Sequence, residues 1–351
     1  MKILLFSDVH FSKTTSILKS IGTNYTVRLE KLVQSMNWVN KLALSQGCGL
    51  MICAGDFVDK SVVSDEEITA ISTIEWNQLP CYFVVGNHDS SVDDLRYNVV
   101  EILNTRAQII KSLSVLPIPN YDIVFLPYIR DSVNLTIQQC LDNVKDKLTG
   151  NPIIIVSHND LSGVVYNAGI ESRVGFNIFN LPPEVKLFLN GHLHNSWWAT
   201  KNVLNLGSLS AHNFTNDSLR YKYGAWILNT DTLEMQFFEN PFGLNFYQFE
   251  IGNKNDISQL DNIKPNSILR IRCSEKLYTD ALAKVGSQAE KILAHHIIQR
   301  LDESLDNKIL DSELQSSTTT KIDYLGKLVD FCREEIENSD ILLEELAIIC
   351  G

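Results

Sequence analysis

The sequence predicts an α/β protein in which two β-sheets lie face to face with helices outside. In its first half, short apolar runs alternate with segments of helical spacing, which is typical of βαβ units. After about residue 196, β-like segments follow one another, which indicates antiparallel strands. In addition, five of the predicted strands end in Asp, Asn or His. Open α/β sheets carry their functional sites at such carboxyl ends.

Each element of the first half follows from a local pattern. The apolar run at 2–6 predicts a buried first strand, and eight apolar residues at helical spacing between 24 and 45 predict a long helix that returns to the strand at 50–54. Pro119-Asn120 separates two alternating runs and predicts a hairpin. The further elements are a weaker helix at 66–76, a strand at 81–85, helices at 92–103 and 131–148, hairpin strands at 115–118 and 121–126, and a strand at 153–156.

The second half is predicted to hold a loose, Gly-containing segment at 161–183 and then mostly strands. A loop of that length beside a site is usually functional. The predicted strands cover 185–189, 197–206, 223–229, 234–238, 246–251 and 268–273, followed by an amphipathic helix at 287–305 and two tail helices beyond a polar stretch at 316–320. We therefore divide the chain into a first domain at 1–243, a second at 244–315 and a helical segment at 316–351.

Composition limits the class of protein. At 351 residues, with 44% hydrophobic and 21% charged residues, the sequence is that of a globular protein with a sizeable core. No apolar run is long enough to cross a membrane, and the N-terminus lacks a signal-peptide core. The seven cysteines are scattered and form no C-x-x-C pair, as expected of reduced thiols in a cytosol. The net charge of −12 argues against a protein that grips nucleic acid over a broad basic face by itself.

The polar residues at the five strand ends predict one site for two divalent metal ions. Oxygen and imidazole ligands suit such ions, and two of them ~3.5–4 Å apart can hold a hydroxide and clamp a phosphoryl group. One predicted ligand set shares Asp56 with the other, as a bridging carboxylate. The first set is Asp8, His10, Asp56 and His194, and the second is Asp56, Asn87, His158 and His192.

His88 and Asp59 are predicted to act in catalysis without holding metal. His88 follows Asn87 directly, so its ring faces the substrate, where it protonates the leaving oxygen or steadies the phosphorane. The Asp59 carboxylate is the predicted partner that fixes the tautomer of His88. Asp89 is either a helix N-cap or a catalytic group, and His212 lies outside the pattern together with His295 and His296, which are assigned to a solvated helix face.

With these motifs, the chain resembles the calcineurin-like metallophosphoesterases over about residues 1–240. The resemblance implies a two-sheet sandwich flanked by helices, the ligand roles above, and commonly manganese, with magnesium as the other candidate. Within that superfamily the chain is similar to SbcD-type DNA nuclease subunits and their phage recombination-endonuclease counterparts. The segments that carry this similarity are Ser157-His158-Asn159-Asp160, Gly175-Phe176, and the stretches 188–195 and 205–209.

The resemblance also implies partners. Such subunits are double-strand exonucleases and single-strand endonucleases in recombination and repair, and they form homodimers within a heterotetramer that contains a coiled-coil ATPase. The second domain is then similar to a DNA-positioning capping domain. The location implied is the cytoplasm of a bacterium or a phage-infected host. The tail helices would dock on the ATPase through Leu325, Leu328, Val329, Ile341, Leu342 and Leu346.

Two alternatives stay open within the superfamily, and one outside catalysis. Protein phosphatases place arginine before Gly-Asn-His and Arg-Gly after the second Asp, where this chain has Val85 and Lys60-Ser61. A small-molecule phosphodiesterase would fit the site but would leave the C-terminal third unexplained. A non-catalytic scaffold would have no need of the complete ligand set. The tail helices could also pack on their own domain.

Overall fold

Two six-stranded sheets form the main body of the protein. The computed structural model describes residues 1–13, 26–91, 94–130, 135–164, 172–215 and 218–300. The strands of the first sheet are β1 (Lys2–Phe6), β2 (Cys48–Cys53), β3 (Cys81–Val84), β4 (Gln108–Ile110), β13 (Gly224–Asn229) and β14 (Glu234–Glu239). They lie in the order β14-β13-β1-β2-β3-β4. The strands of the second sheet are β5 (Ser114–Ile118), β6 (Tyr121–Leu126), β7 (Ile153–Ser157), β10 (Val185–Asn190), β11 (Trp197–Thr200) and β12 (Val203–Asn205). Their order is β11-β12-β10-β7-β6-β5.

The strands that carry the polar motifs are parallel and central. β1 pairs in parallel with β2, and β2 with β3, in the first sheet. β7 pairs in parallel with β6 and β10 in the second. The antiparallel pairs are β1–β13, β13–β14, β5–β6 and β11–β12, at the sides of the sheets. All five motifs consequently leave the sandwich at strand carboxyl ends.

The buried side chains separate into layers, as expected of a two-sheet sandwich. Leu5 and Ile52 of the first sheet share one cluster with Phe125 and Val156 of the second, so the two sheets face each other directly. The outer face of the first sheet packs against α1 (Val27–Ser45) and α2 (Asp65–Ser72), and that of the second against α3 (Ile137–Asp142). The predicted fold class is therefore confirmed.

Local signals account for the helix starts. Thr26 accepts the Leu29 N–H at the start of α1. Ser64 and Glu67 form a reciprocal capping box at α2. Thr136 and Gln139 do the same at α3, which therefore begins at Ile137. Among the described residues, the helix predicted at 131–148 covers Ile137–Asp142, with a 3₁₀ turn at Lys145–Lys147. No helix in the described part of the chain is long and apolar enough to cross a membrane.

Residues 245–300 form a three-stranded sheet with its own apolar cluster. Its strands β15 (Asn245–Ile251) and β16 (Ser267–Ser274) are parallel, and β17 (Ile292–Arg300) completes it. A second cluster that includes Phe214, Tyr223, Phe246 and Ile268 joins this region to the strands before it. The domain limits predicted at 243 and 315 stay predictions, and the tail helices lie outside the described residues. The short pair β8 (Leu161–Ser162) and β9 (Phe176–Asn177) occupies part of the loose segment.

Two predicted helices are wrong. At 287–305 the structure has the strand β17, whose Leu293 packs on the Phe214 cluster while Ile292 packs on the cluster of 245–300. Covering on both faces gives an apolar run without alternation, which periodicity alone does not assign to a strand. The helix lies earlier, as α4 (Glu275–Ser287). At 92–103 the helical residues are a 3₁₀ turn at Val99–Leu103, because Asp89 and Ser90 bond to the main chain of Val99 and Tyr97.

Candidate metal centre

The polar side chains predicted as ligands come together at one edge of the sandwich. The main chain joins the first two motifs, since the Asp8 N–H donates to the Gly55 carbonyl at 3.0 Å and the His10 N–H to the Asp56 carbonyl at 3.1 Å. Ion-pair and ring contacts connect the rest. The side chains brought together are Asp8, His10, Asp56, Asn87, His158, His192 and His194.

Asp56 lies between the two groups of predicted ligands. Its Oδ2 is 3.1 Å from His158 Nε2 on one side and 3.7 Å from His10 Nε2 on the other. Its Oδ1 accepts the His88 N–H at 2.9 Å. The residue is 1% exposed, so its carboxylate faces the interior of the centre and not solvent. This is the position that a bridging carboxylate requires.

Four of the predicted ligands have left-handed backbone conformations, which non-glycine residues rarely adopt. The φ angles are 49° at Asp8, 46° at His10, 50° at Asp56 and 74° at His192. Strain of this kind persists only where the surroundings enforce it, and it gathers at functional sites. The loops therefore hold these four side chains in directions that ordinary turns would not give.

Two glycines are required by the closeness of the loops. A Cβ at Gly86 would lie 2.2 Å from Asp56 Oδ1, and one at Gly55, where φ is +97°, would lie 2.1 Å from His158 Nδ1. Any other residue at either position would displace a predicted ligand. The glycines of the Gly-Asp and Gly-Asn-His motifs are thus steric requirements of the centre.

Two buried polar atoms at the centre have no hydrogen-bond partner among the described residues: Asp8 Oδ1 and His10 Nε2. They are 3.8 Å apart. The other nitrogen of His10 is occupied, because Nδ1 lies 3.0 Å from Asp59 Oδ1. Buried polar atoms normally find partners, so a carboxylate oxygen and an imidazole nitrogen left over side by side fit a divalent cation.

The second group of predicted ligands converges on Asn87. Its Oδ1 lies 3.2 Å from His158 Nε2 and 3.0 Å from His192 Nδ1. The opposite nitrogens are held from outside, His158 Nδ1 by the Ala54 carbonyl at 2.7 Å and His192 Nε2 by Asp160 Oδ1 at 3.2 Å. Metal-ligating histidines are usually oriented in this way. In the sequence Asp160 stands only as part of a motif, and its contact with His192 becomes visible only in the structure.

The pKa shifts describe a centre that attracts cations. Burial by itself lowers the pKa of His10, but the hydrogen bond to Asp59 and the nearby carboxylates of Asp8 and Asp56 outweigh it and raise that pKa to about 10. Burial is likewise outweighed at His158, where Asp56 and Asp8 raise the pKa to about 9. Although burial raises the pKa of Asp56, the neighbouring histidines bring it below its ordinary value. The ionised carboxylates thus create a negative potential that favours cations, and a bound metal would take the place of the protons on these imidazoles.

His88 lies at the rim of the centre, and its hydrogen-bond partner is not the one expected. It is exposed at the rim of the centre, and its ring centroid lies 4.8 Å from that of His10. Its Nδ1 faces the main-chain carbonyl of Asp59 at 2.8 Å, whereas the Asp59 carboxylate contacts His10. The prediction that this carboxylate orients His88 is therefore wrong. Asp59 serves both histidines, because the chain turns so that its carbonyl and its side chain face different rings.

Asp89 is neither a helix cap nor exposed to substrate. It is fully buried, and its carboxylate accepts the N–H groups of Asp56 at 3.0 Å, Val58 at 3.0 Å and Gly86 at 2.9 Å. Burial and the charge of Asp56 raise its pKa to about 6. Asp89 thus ties the loop after β2 to the loop after β3.

Arg28 and His212 belong to the centre although no sequence motif points to either. Arg28, which is 3% exposed, donates to the carbonyls of Ser12 at 3.0 Å and His10 at 3.4 Å, and its Nη2 lies 3.3 Å from His212 Nδ1. His212 Nε2 lies 3.1 Å from the Asp8 carbonyl. Burial and the neighbouring cationic groups hold the pKa of His212 well below its ordinary value.

These contacts decide between two roles for His212. Its nitrogen atoms come close enough to those of His10 and His194 to form a candidate metal group. However, the contacts with the Asp8 carbonyl and Arg28 occupy both nitrogens of a neutral ring. His212 thus holds the loop after β1, and His194, whose ring centroid is 4.9 Å from that of His10, stays the predicted ligand.

We expect Arg28→Met to weaken metal binding by about 10- to 100-fold, the range found when residues that orient metal ligands are removed. Methionine keeps the apolar stem but leaves the carbonyls of Ser12 and His10 without their donor. Isothermal titration with Mn²⁺ measures the change. Lys31→Met is the control, because Lys31 is a cationic residue of the same helix that donates to Gln34. Unchanged affinity in Arg28→Met would remove Arg28 from the centre.

The remaining predicted site residues lie outside the described residues. They are the six apolar residues of the tail, Leu325, Leu328, Val329, Ile341, Leu342 and Leu346. Of the cysteines, Cys48, Cys53, Cys81, Cys140 and Cys273 are buried free thiols.

Comparison with known proteins matches residues 1–196 to the calcineurin-like phosphoesterase family. Among solved structures, similarity is found to a novel archaeal phosphodiesterase (15% identity, 68% of this chain and 99% of that one, TM-score 0.34). A protein from Thermus thermophilus matches with 12% identity over 68% of this chain and 98% of its own, with a TM-score of 0.40. A dimetal phosphatase from Danio rerio matches with 11% identity, 64% and 91% coverage, and a TM-score of 0.37. No curated protein matches the chain.

Proposed function

The chain belongs to the calcineurin-like phosphoesterase family, and we propose that it is a phosphodiesterase that cleaves DNA. Membership of the family makes the protein a metal-dependent phosphoester hydrolase. The proposal specifies the ester as a phosphodiester and the polymer as DNA.

The observation that carries the choice of a diester is the residue type at two positions of the site. Val85 precedes Gly86-Asn87-His88, and Lys60-Ser61 follows Asp59, where protein phosphatases resembling this chain have arginine. Val85 is fully buried and its carbonyl accepts the Tyr128 N–H, so it is part of the buried framework around the centre. A phosphomonoester carries up to two negative charges and benefits from bidentate arginines, whereas a diester carries one. The site therefore suits a diester better than a monoester.

The residues of the centre divide the work of hydrolysis. Asp8, His10, Asp56 and His194 would hold one divalent ion, and Asp56, Asn87, His158 and His192 the other. When bound, such a pair supplies Lewis acidity and an activated water for in-line displacement at phosphorus. Asp59 and Asp160 orient His10 and His192 respectively. The metal we propose is manganese, with magnesium as the alternative.

His88 is the group we assign to the leaving oxygen. Its Nδ1 faces the Asp59 carbonyl, which can only accept a hydrogen bond, so Nδ1 carries a proton. Nε2 is then the atom that serves the substrate. In the imidazolium form it gives its proton to the departing oxygen of the sugar.

DNA as the polymer rests on the resemblance to SbcD-type nuclease subunits and on the presence of a second folded region at 245–300. A net charge of −12 is compatible with this role if a partner supplies much of the DNA affinity. We propose a coiled-coil ATPase as that partner, with the tail at 316–351 as its docking segment and a homodimer within the complex. The sequence has no phosphate-binding Gly-x-x-x-x-Gly-Lys loop, so ATP dependence would come from the partner.

We expect the purified chain with Mn²⁺ to hydrolyse bis(p-nitrophenyl) phosphate with a kcat/KM at least about ten-fold above that for p-nitrophenyl phosphate. The ten-fold figure corresponds to the lower end of one charge-assisted hydrogen bond, roughly 1.5 kcal/mol, that only the dianion would need. Linear duplex and single-stranded DNA, with and without the co-purified ATPase, test the polymer.

Preference for the monoester would overturn the choice of a diester. Rapid diester turnover without cleavage of any DNA, with or without the ATPase, would favour the second candidate, a small-molecule phosphodiesterase.

A further inference from the structure

A cavity of about 400 Å³ opens beside the centre, on the side of His192. Tyr128, Ile129 and Arg130 form one wall of it, and Asp94, Leu95 and Arg96 form another, with Lys111 and Ser112 completing the lining. The volume is within the range of small-ligand sites. We call it the Tyr128 cavity.

The first wall is fixed to the metal centre. The Tyr128 ring lies 6.1 Å from the His192 ring, centroid to centroid. The Tyr128 N–H donates to the Val85 carbonyl at 3.1 Å, directly before the Gly-Asn-His motif. The Ile129 N–H donates to Asn159 Oδ1 at 2.8 Å, next to His158. The wall therefore keeps a set distance from the predicted metal ligands.

The second wall belongs to a loop whose two ends are bonded to each other next to the same centre. It follows the motif that contains Asn87 and His88. Ser90 Oγ donates to the Tyr97 carbonyl at 2.9 Å, and the Val99 N–H donates to the Asp89 carbonyl at 2.9 Å. A molecule seated in the cavity would thus lie between two loops whose bases hold metal ligands.

The lining favours an anion that carries an aromatic group. Arg96, Lys111 and Arg130 are cationic, and Asp94, paired with Arg96 at 2.6 Å, is the one carboxylate among the described lining residues. Glu101, outside the lining, contacts Lys111. The local balance is positive in a chain whose net charge is −12. Tyr128, partly exposed, adds an aromatic face of the kind on which bases stack.

We propose that the Tyr128 cavity binds the nucleotide next to the scissile phosphodiester, with its base on Tyr128 and its phosphate near Arg130 and Lys111. This inference rests on the proposed function, because it assigns a subsite for the substrate of that centre. Stacking on an aromatic ring and charge attraction both tolerate any base. The subsite would therefore bind strands without reading their sequence.

The charge contribution is tested with Lys111→Gln and Arg130→Gln. We expect each variant to raise the KM for oligothymidylate about three- to ten-fold and to flatten its dependence on salt, while bis(p-nitrophenyl) phosphate turnover stays that of the wild type. Lys41→Gln is the matched control, since Lys41 is also a surface lysine that contacts a glutamate, Glu75. An unchanged KM in both cavity variants, with DNA still cleaved, would overturn the subsite and leave the nuclease intact.

The stacking contribution is tested with Tyr128→Leu on oligothymidylate and on an abasic phosphodiester chain of equal length. The wild type should bind the base-containing strand about ten-fold better, and the variant should bind both equally. If Tyr128→Leu weakened the binding of both strands and kept their ratio, the role of Tyr128 in stacking would be overturned.

Wild-type cleavage of cyclic mononucleotides but of no strand would refute the proposed nuclease instead. The same variants would then show whether the cavity holds the mononucleotide.

Discussion

Asp56→Asn should abolish hydrolysis and lower the affinity for Mn²⁺ by more than about 100-fold, beyond the loss seen when only an orienting residue is changed. The amide has nearly the shape of the carboxylate and keeps an oxygen to accept the His88 N–H, so the loop has no steric reason to move. What disappears is the negative charge between His10 and His158. Both predicted ligand sets lose their shared member at once.

Two measurements separate this effect from unfolding. Circular dichroism and thermal melting in chelator compare the folded state of Asp56→Asn with that of the wild type. Isothermal titration with Mn²⁺ then gives the affinity and the number of ions bound. Asp142→Asn, at an exposed aspartate of α3, controls for the chemical change. Two ions bound to Asp56→Asn with wild-type affinity would contradict a bridging role.

His88→Ala should bind two Mn²⁺ ions as the wild type does and lose about 10²- to 10⁴-fold in kcat, the usual contribution of a positioned acid or base. The reason is its position, exposed at the rim with Nδ1 on the Asp59 carbonyl, while Asn87 beside it contacts His158 and His192. Rates on linear duplex DNA and on bis(p-nitrophenyl) phosphate measure the loss.

The structure also allows a second role for His88, and the titration distinguishes it. His88, His10 and Asp56 offer ligand atoms within 4.8 Å of one another. If His88 held metal, its alanine variant would lose affinity together with rate. The control is His295→Ala, at an exposed histidine of β17. Near-normal turnover by His88→Ala would refute a catalytic role of either kind.

The sequence was sufficient for the sandwich and for the convergence of the predicted ligands, because both depend on local patterns. Apolar runs that end in Gly-Asp, Gly-Asn-His or Gly-His are short, and each places a polar side chain at the end of a buried strand. Parallel pairing then brings those ends together, as β1, β2 and β3 show. The pattern contains no information on which atom of a side chain contacts which neighbour.

For that reason the sequence could not predict the contacts of Asp59, Asp89, Arg28 and His212. Spacing suggested the Asp59 carboxylate for His88, but the turn after Asp56 directs it to His10. Arg28 lies on α1 and His212 lies far along the chain, and only the tertiary fold brings them to the Asp8 loop. The strand β17 was missed for a related reason, since its two faces are covered by clusters from distant segments.

The buried carboxylate of Asp89 has a consequence for how the centre acquires its ions. Because the Asp89 carboxylate accepts three N–H groups from two loops, these loops are already linked to each other in the folded chain. The entropy of ordering those loops is therefore lost during folding and does not weaken metal association. The centre is thus preorganised for its ions.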